Sequence, residues 1–414
     1  MRKFSIVLVT ILLAGCRTTV QDGSSGSLKI SDDVEYGERD YQEIVAPSNE
    51  LGWKLLPIIE PSDEGNRFIS SASLFMAVSM VYNGAEGVTK EEVAKVLEVP
   101  ELEADELNRA NASLINQLHS ETEAIQLNIG NSMWLNDEYQ FQEEFAKNNE
   151  DYFNAEIEEI DVTDSGSAKR INDWVKESTN GKIEKITEDP LNPNLVTMLL
   201  NAIYFKGNWQ YPFDEDNTTE KDFHLEDGSV KELPLMELSE QLPYLETNDF
   251  QAVILPYGEG EMSMKVFLPK EDSTLAQFEK TLTRGNWDKW NSAFQERHGT
   301  LRLPKFELNY EVELNDPLKK LGMMAAFGPV AEFTKMIEDG GSLNIDVVKQ
   351  KTYLNMDEKG TEAAAVTAIT MESSGSAEEP YEMQVDRPFF ITIEDTESKL
   401  ILFMGAIAEP MNGK

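Results

Sequence analysis

Few side chains in this 414-residue chain have the type and spacing needed for covalent or acid–base chemistry. Histidine occurs three times, at His119, His224 and His298. None of them stands in an H-E-x-x-H zinc motif or beside a G-x-S-x-G nucleophile turn. With 76 acidic residues, close carboxylate pairs arise by chance and mark no general acid and base. The histidines therefore read as structural, and no hydrolase centre, metal site or cofactor is expected. The most informative stretch is of another kind: Asp357-Glu358-Lys359-Gly360-Thr361-Glu362-Ala363-Ala364-Ala365-Val366-Thr367-Ala368-Ile369-Thr370-Met371. Its odd positions from Thr361 are Thr, Ala, Ala, Thr, Ile and Met, while Glu362 and Glu372 fall on even ones. Alternation of this kind belongs to a strand with one buried face. The next residues, Ser373-Ser374-Gly375-Ser376-Ala377-Glu378-Glu379-Pro380, have the composition of an exposed loop. A segment that can be strand or loop points to an element that changes state.

The elements that must position this stretch are legible as periodic runs. Residues 66–84 read as a short strand, a serine cap, a buried helix and a glycine stop. Residues 90–97 are periodic as an amphipathic helix, and residues 168–179 form another that closes at Asn180-Gly181. Residues 125–135 alternate as a strand. Residues 195–205 are mostly apolar and rich in branched and aromatic side chains, as a central strand is. Residues 250–256, 262–269, 300–310 and 399–408 are strand-like as well. Helices gather in the first half and strands in the second, which indicates an α+β class and not alternating β-α units.

The chain opens Met1-Arg2-Lys3, runs apolar through Leu13 and reaches Leu13-Ala14-Gly15-Cys16. A basic start, about ten apolar residues and small residues before the cut describe a secretory signal, too short to span a bilayer. Leu-Ala-Gly-Cys resembles a bacterial lipobox, which makes residues 1–15 a signal peptide and Cys16 the lipidated first residue of the mature protein. Arg17 follows in place of Asp, which favours the outer membrane of a bacterial envelope. Cys16 is the only cysteine, so no disulfide is expected despite export. Residues 16–40 are read as a flexible tether, being rich in Ser, Gly, Asp and Glu from Gln21 onward. Residues 41–414 exceed what one core usually serves, so length alone predicts two domains. The balance of 36 basic against 76 acidic residues, a net charge of −40, repels phosphate backbones and anionic glycans. Nucleic acid and heparin-like partners are not expected; the charge reads as solubility, with steering of a basic target as the sharper alternative.

Five blocks resemble serpins, in order and at family spacing. The first is residues 66–74, where Ser71 replaces the usual proline while Ser70 and Ser73 stand in place. The second is Asn201-Ala202-Ile203-Tyr204-Phe205-Lys206-Gly207-Asn208-Trp209, with Pro212-Phe213 and Phe223-His224. The third runs from Leu255-Pro256-Tyr257 through residues 262–269. The fourth is Leu303-Pro304-Lys305-Phe306 with residues 318–323 and Ala326-Phe327. The fifth is Glu-Lys-Gly-Thr-Glu-Ala-Ala-Ala from Glu358, then Asp386-Arg387-Pro388-Phe389-Phe390 and Phe403-Met404-Gly405. Together they cover about residues 45 to 410, which overrules the two-domain expectation.

The resemblance implies a monomeric serpin fold with three β-sheets, about eight to nine helices and an exposed reactive loop over about residues 358–385. It implies a hinge at Glu358, Gly360, Thr361, Ala363, Ala364 and Ala365. It also implies a shutter of Ser70, Ser73 and Asn201 that holds the main sheet closed, and Trp209 at the breach where the loop first enters. Where the family often has a shutter histidine, this chain has Gln350; an amide both donates and accepts but does not titrate near neutrality. The implied activity is suicide inhibition. A serine or cysteine protease attacks the loop, and the severed loop enters the main sheet as a new strand carrying the acyl-enzyme. Insertion of residues 360 to about 374 would lay down about 50 Å of strand at ~3.4 Å per residue. Between Lys359 and Arg387 there is no lysine or arginine, so elastase-like or subtilisin-like targets are expected and trypsin-like ones are not. The usual loop length puts the cut between Ser374 and Gly375; Ile369, Met371, Glu372 and Ala377 remain alternatives. A non-inhibitory lipoprotein that uses the same fold for binding or chaperoning is the competing expectation.

Overall fold

A computed structural model describes residues 30–119, 124–338, 343–361 and 379–411 of the chain. The described residues contain nine α-helices: α1 (Gln42–Leu55), α2 (Ser71–Gly84), α3 (Gly87–Val96), α4 (Ala104–Leu118), α5 (Glu143–Phe153), α6 (Ser167–Ser178), α7 (Leu275–Glu279), α8 (Arg284–Asn291) and α9 (Asn315–Leu321). The strands are β1 (Arg67–Ile69), β2 (Ile125–Asn136), β3 (Glu156–Ile160), β4 (Thr197–Asn208), β5 (Thr219–His224), β6 (Val230–Glu246), β7 (Phe250–Tyr257) and β8 (Met262–Pro269). They continue with β9 (Gln295–Pro304), β10 (Phe306–Glu313), β11 (Val347–Asp357), β12 (Gly360–Thr361), β13 (Tyr381–Gln384), β14 (Phe389–Asp395) and β15 (Ile401–Ile407). Helices dominate before residue 180 and strands after it, so the class is α+β, as expected. No helix among the described residues is long and apolar enough to cross a membrane.

The strands form two hydrogen-bonded sheets. One has the order β10-β11-β12-β4-β2-β3; the other has nine strands in the order β1-β15-β14-β8-β7-β6-β9-β13, with β5 on β6. Three sheets were expected, but the second ladder is continuous through the 17-residue strand β6. That strand pairs β5 and β9 along most of its length and β7 only over Tyr244–Glu246.

The six-stranded sheet is covered on both faces, which is why β4 reads as an almost unbroken apolar run. Ile203 and Phe205 face the main core, into which α2 buries nearly every side chain. Leu200, Ala202 and Tyr204 face a second cluster built from Ala168, Ile171 and Val175 of α6 and Ile183 and Ile186 of the turn after it. Ser70 caps α2 by accepting the Ser73 N–H, so the expected serine cap is present.

Two expectations change in detail. Residues 300–310 are not one strand: β9 ends at Pro304 and β10 begins at Phe306, in different sheets. Pro304 has no N–H to extend a ladder, and the Lys305 N–H between the strands donates to Pro234 O. Within the expected tether, Ile30 and Ser31 contact the folded body. Ile30 packs on the core, and the Ser31 N–H donates to Asp151 O at 3.3 Å.

Candidate functional site

The six-stranded sheet contains one parallel seam between strands that are each antiparallel to their other neighbour. β4 and β11 pair directly over seven residues, from Val347 opposite Met198 to Tyr353 opposite Tyr204. Beyond that point they separate, and β12 sits between them, antiparallel to both: Thr361 lies opposite Gly207 and Met356, Gly360 opposite Asn208 and Asp357. Gly360 and Thr361, at the start of the stretch expected to act as a hinge, are therefore already a short strand within the sheet.

Two residue clusters hold this arrangement. The first crosses the closed part of the seam. Gln350 on β11 donates from Nε2 to Asn201 Oδ1 on β4 at 2.6 Å, and also to Ser70 O at 2.9 Å. Its Oε1 accepts the Ser70 N–H at 2.9 Å. Asn201 Nδ2 donates to Ser73 Oγ and, at 2.7 Å, to Asn131 Oδ1 on β2. All these side chains are buried; Gln350 and Asn201 are each 1% exposed. Ser70, Ser73, Asn201 and Gln350, singled out from the sequence, thus form one hydrogen-bonded network with Asn131 added. Nothing in it changes charge near neutral pH.

The second cluster surrounds β12. Asp357 Oδ1 accepts from the N–H groups of Lys359 and Gly360, which closes a tight turn. Gly360 has φ +152°, and a Cβ there would lie 2.0 Å from Gly207 O, so only glycine fits between the strands. Trp209 caps the turn from its N–H to Lys359 O at 2.9 Å and from Nε1 to Asp357 O at 3.0 Å. Its ring stacks on Tyr257, with centroids 4.3 Å apart. The Tyr257 hydroxyl lies 2.9 Å from Thr361 Oγ1, and burial raises it far above the ordinary tyrosine range, so it stays protonated.

Glu358 anchors the turn. Its carboxylate accepts from Lys305 Nζ at 2.8 Å and from Thr218 Oγ1 at 2.8 Å, while its backbone carbonyl accepts the Phe213 N–H. Burial disfavours the charge, but the hydrogen bonds from Lys305, from its own backbone N–H and from Thr218 outweigh it. They hold the carboxyl below the usual carboxylate range.

Trp209, Glu358, Gly360 and Thr361 are thus brought together, at the end of the seam away from Val347. Ala363, Ala364, Ala365, Ile369, Met371, Glu372, Ser374, Gly375, Ala377 and Cys16 lie outside the described residues. Sequence reading did not single out Asn131, Thr218, Tyr257 or Lys305. Asn131 carried a signal, a polar residue on the buried parity of a strand; Tyr257 and Lys305 sit inside quoted blocks, but their contacts are long-range. The histidines sit on separate elements: His119 caps α4, while His224 ends β5 and His298 lies within β9. Among the described residues, no group of three or more His, Cys, Asp or Glu could hold a metal ion.

A parallel seam entered at one end by its own chain is the geometry of a serpin, and sequence comparison agrees. The family model for serpins (serine protease inhibitors) matches residues 46–410, and the chain belongs to this family. It is 34% identical to an uncharacterized serpin-like protein of Thermococcus kodakarensis, over 85% of this chain and 82% of that one. It is 32% identical to human serpin B11, over 83% and 93%. Among solved structures it is similar to tengpin, a thermophilic serpin in its native state (TM-score 0.83, 28% identity, covering 93% of this chain and 99% of that one). It is also similar to thyroxine-binding globulin in complex with thyroxine (TM-score 0.79, 26% identity, 89% and 100%). Members of the family are mostly protease inhibitors and not enzymes.

Two measurements follow from the clusters. A carboxyl whose folded pKa lies below its unfolded value stabilises the fold above the unfolded value, and loses that contribution as pH falls through the folded one. The gap in melting temperature between the wild type and Glu358→Gln should therefore close as pH drops from about 5 to 3; a constant gap would contradict the anchoring role of this carboxylate. At the seam, annealing of a synthetic peptide with the sequence of residues 361–371 should vary little between pH 6 and 8. In Gln350→His it should quicken on acidification, because an imidazolium cannot accept the Ser70 N–H. A wild-type transition near pH 6.5 would contradict the non-titrating network.

Proposed function

We propose that the protein is an inhibitory serpin that traps a serine protease, or a cysteine protease, as a covalent acyl-enzyme on its severed loop. The observation that carries this reading is β12: two hinge residues already pair with both edges of the seam, in the orientation a longer insertion would continue. Extending that strand replaces one parallel ladder by two antiparallel ones, the more stable pairing per residue. About ten added ladder bonds at ~1 kcal/mol each give a driving force on the order of ten kcal/mol. The next odd-numbered residues, Ala363 and Ala365, are small and uncharged, so their entry costs little.

The loop carries no basic residue from Gly360 to Asp386, which favours elastase-like or subtilisin-like targets over trypsin-like ones. Ser374–Gly375 is the proposed reactive bond. The same reading has the protein act as a monomer, exported and held by a lipid on Cys16 to a bacterial envelope, in keeping with its basic, apolar, Leu-Ala-Gly-Cys start. The competing, non-inhibitory reading predicts a different gel.

Incubation with a panel of elastase-like and subtilisin-like proteases should give an SDS-stable band at the summed mass with at least one of them. Clipping of the loop by every protease, with no such band, would overturn the proposal. Thr361 is fully buried against Tyr257, so Thr361→Arg must bury a charge to insert. It should raise the stoichiometry of inhibition at least about tenfold, with cleavage of the loop retained.

A further inference from the structure

β13 receives the chain where it returns from the loop, and its ladder is short. Among the described residues it is the edge of its sheet and pairs with β9 in parallel, from Tyr381 opposite Gly299 to Gln384 opposite Arg302. Parallel pairs are the less stable per residue, and Pro380 has no N–H to extend this one. The same register brings Arg297 of β9 level with Glu379, and there a side chain takes the place of the ladder. Arg297 donates from Nε and Nη2 to Glu379 O, at 2.9 and 2.6 Å.

The guanidinium is held in turn. It lies over the Tyr244 ring, 5.6 Å from its centroid, and that ring stacks on Tyr381 with centroids 4.3 Å apart. Both tyrosines are buried. A Cβ at Gly299 would strike the Tyr381 ring and carbonyl, so glycine there lets Tyr381 lie across β9 and reach Tyr244 on β6. Gln251 of β7 donates from Nε2 to the Tyr244 hydroxyl at 2.7 Å and to Glu382 O at 2.9 Å. Two side chains therefore hold the main chain of this edge, at Glu379 and at Glu382, and an aromatic stack joins them. None of these residues belongs to the clusters along the seam.

A planar fork fixes direction as well as distance. The proposed reactive bond ends four residues before Glu379 in the sequence, a reach of at most about 14 Å. With Glu379 fixed, a protease meets that bond near one place; with Glu379 loose, binding must first order the chain. We infer that Arg297 is a positioning residue for protease capture, whose fork on Glu379 O holds the return end of the loop and so presents the reactive bond. The inference rests on the inhibitory reading and assigns capture and insertion to opposite ends of the loop. Gly360 and Thr361 begin the insertion, whereas Arg297 acts before the cut.

The test compares the wild type with Arg297→Ala and Arg302→Ala. Arg302 lies on the same strand and carries the same charge, but its side chain bonds the carboxylates of Glu237 and Glu382 and not the main chain. It is the control for lost charge, since partly exposed ion pairs of this kind contribute little. With a protease that the wild type traps, Arg297→Ala should form the SDS-stable band about tenfold more slowly. Its stoichiometry of inhibition should not change, because the partition after the cut is set by insertion at the other end. Amide exchange at residues 381–384, measured without protease, should be faster in Arg297→Ala. Arg302→Ala should match the wild type in all three measurements. The inference is overturned if Arg297→Ala traps as fast as the wild type, if its stoichiometry rises in proportion to the lost rate, if its exchange is unchanged, or if Arg302→Ala is impaired as much. If the wild type gives no SDS-stable band with any protease, it is the inhibitory reading that fails, and the exchange comparison alone then decides whether Arg297 holds β13.

Discussion

Strands β4 and β11 run parallel and in contact for seven residues, then separate by the width of one strand to admit Gly360 and Thr361. Each is antiparallel to its outer neighbour, β2 on one side and β10 on the other. At this joint a further antiparallel strand improves the pairing on both sides. The surrounding elements control access to that joint. α6 and the turn after it lie over one face, and Lys349 and Lys351 of β11 donate to Ile186 O and Lys185 O of that turn. On the other face, the cap of α2 reaches the joint through Ser70 and Ser73.

Two kinds of closure act at different depths. At the mouth, the closure is ionic and hydrogen-bonded around one turn: Glu358 with Lys305 and Thr218, and Trp209 on the turn's carbonyls. In the middle, it is made of buried neutral amides and hydroxyls that hydrogen-bond to one another. Removing one such partner costs more than its own bond is worth, because the group left behind stays buried and unsatisfied. The middle of the seam is thus firm in the closed state. A glycine at the mouth completes the geometry, since a Cβ at Gly360 would strike the carbonyl of Gly207.

Much of this was legible in the sequence where local pattern decided it. The cap at Ser70, the buried run of α2 and the two-sided strand β4 are all short-range signals. The serpin resemblance added the grouping of Ser70, Ser73, Asn201 and Gln350, which no periodicity could supply, because those residues come together only through sheet topology. The same limit explains what was missed. Lys305 and Thr218 meet Glu358 across 53 and 140 residues of chain, and Tyr257 meets Thr361 across 104. The division of residues 300–310 into two strands was hidden because both halves alternate; only the missing N–H of Pro304 marked the break. The continuity of the nine-stranded sheet depends on the length of β6, which reads on the sequence as a series of shorter polar-apolar alternations.

The most direct test is amide hydrogen exchange along Thr197–Asn208 and Val347–Asp357, measured before and after a single cut in the loop. A chain poised to extend β12 should show slower exchange along both strands after the cut, because each gains an antiparallel partner along its length. Unchanged or faster exchange there would mean that the severed loop stays out of the seam, which contradicts insertion as the driving force of inhibition.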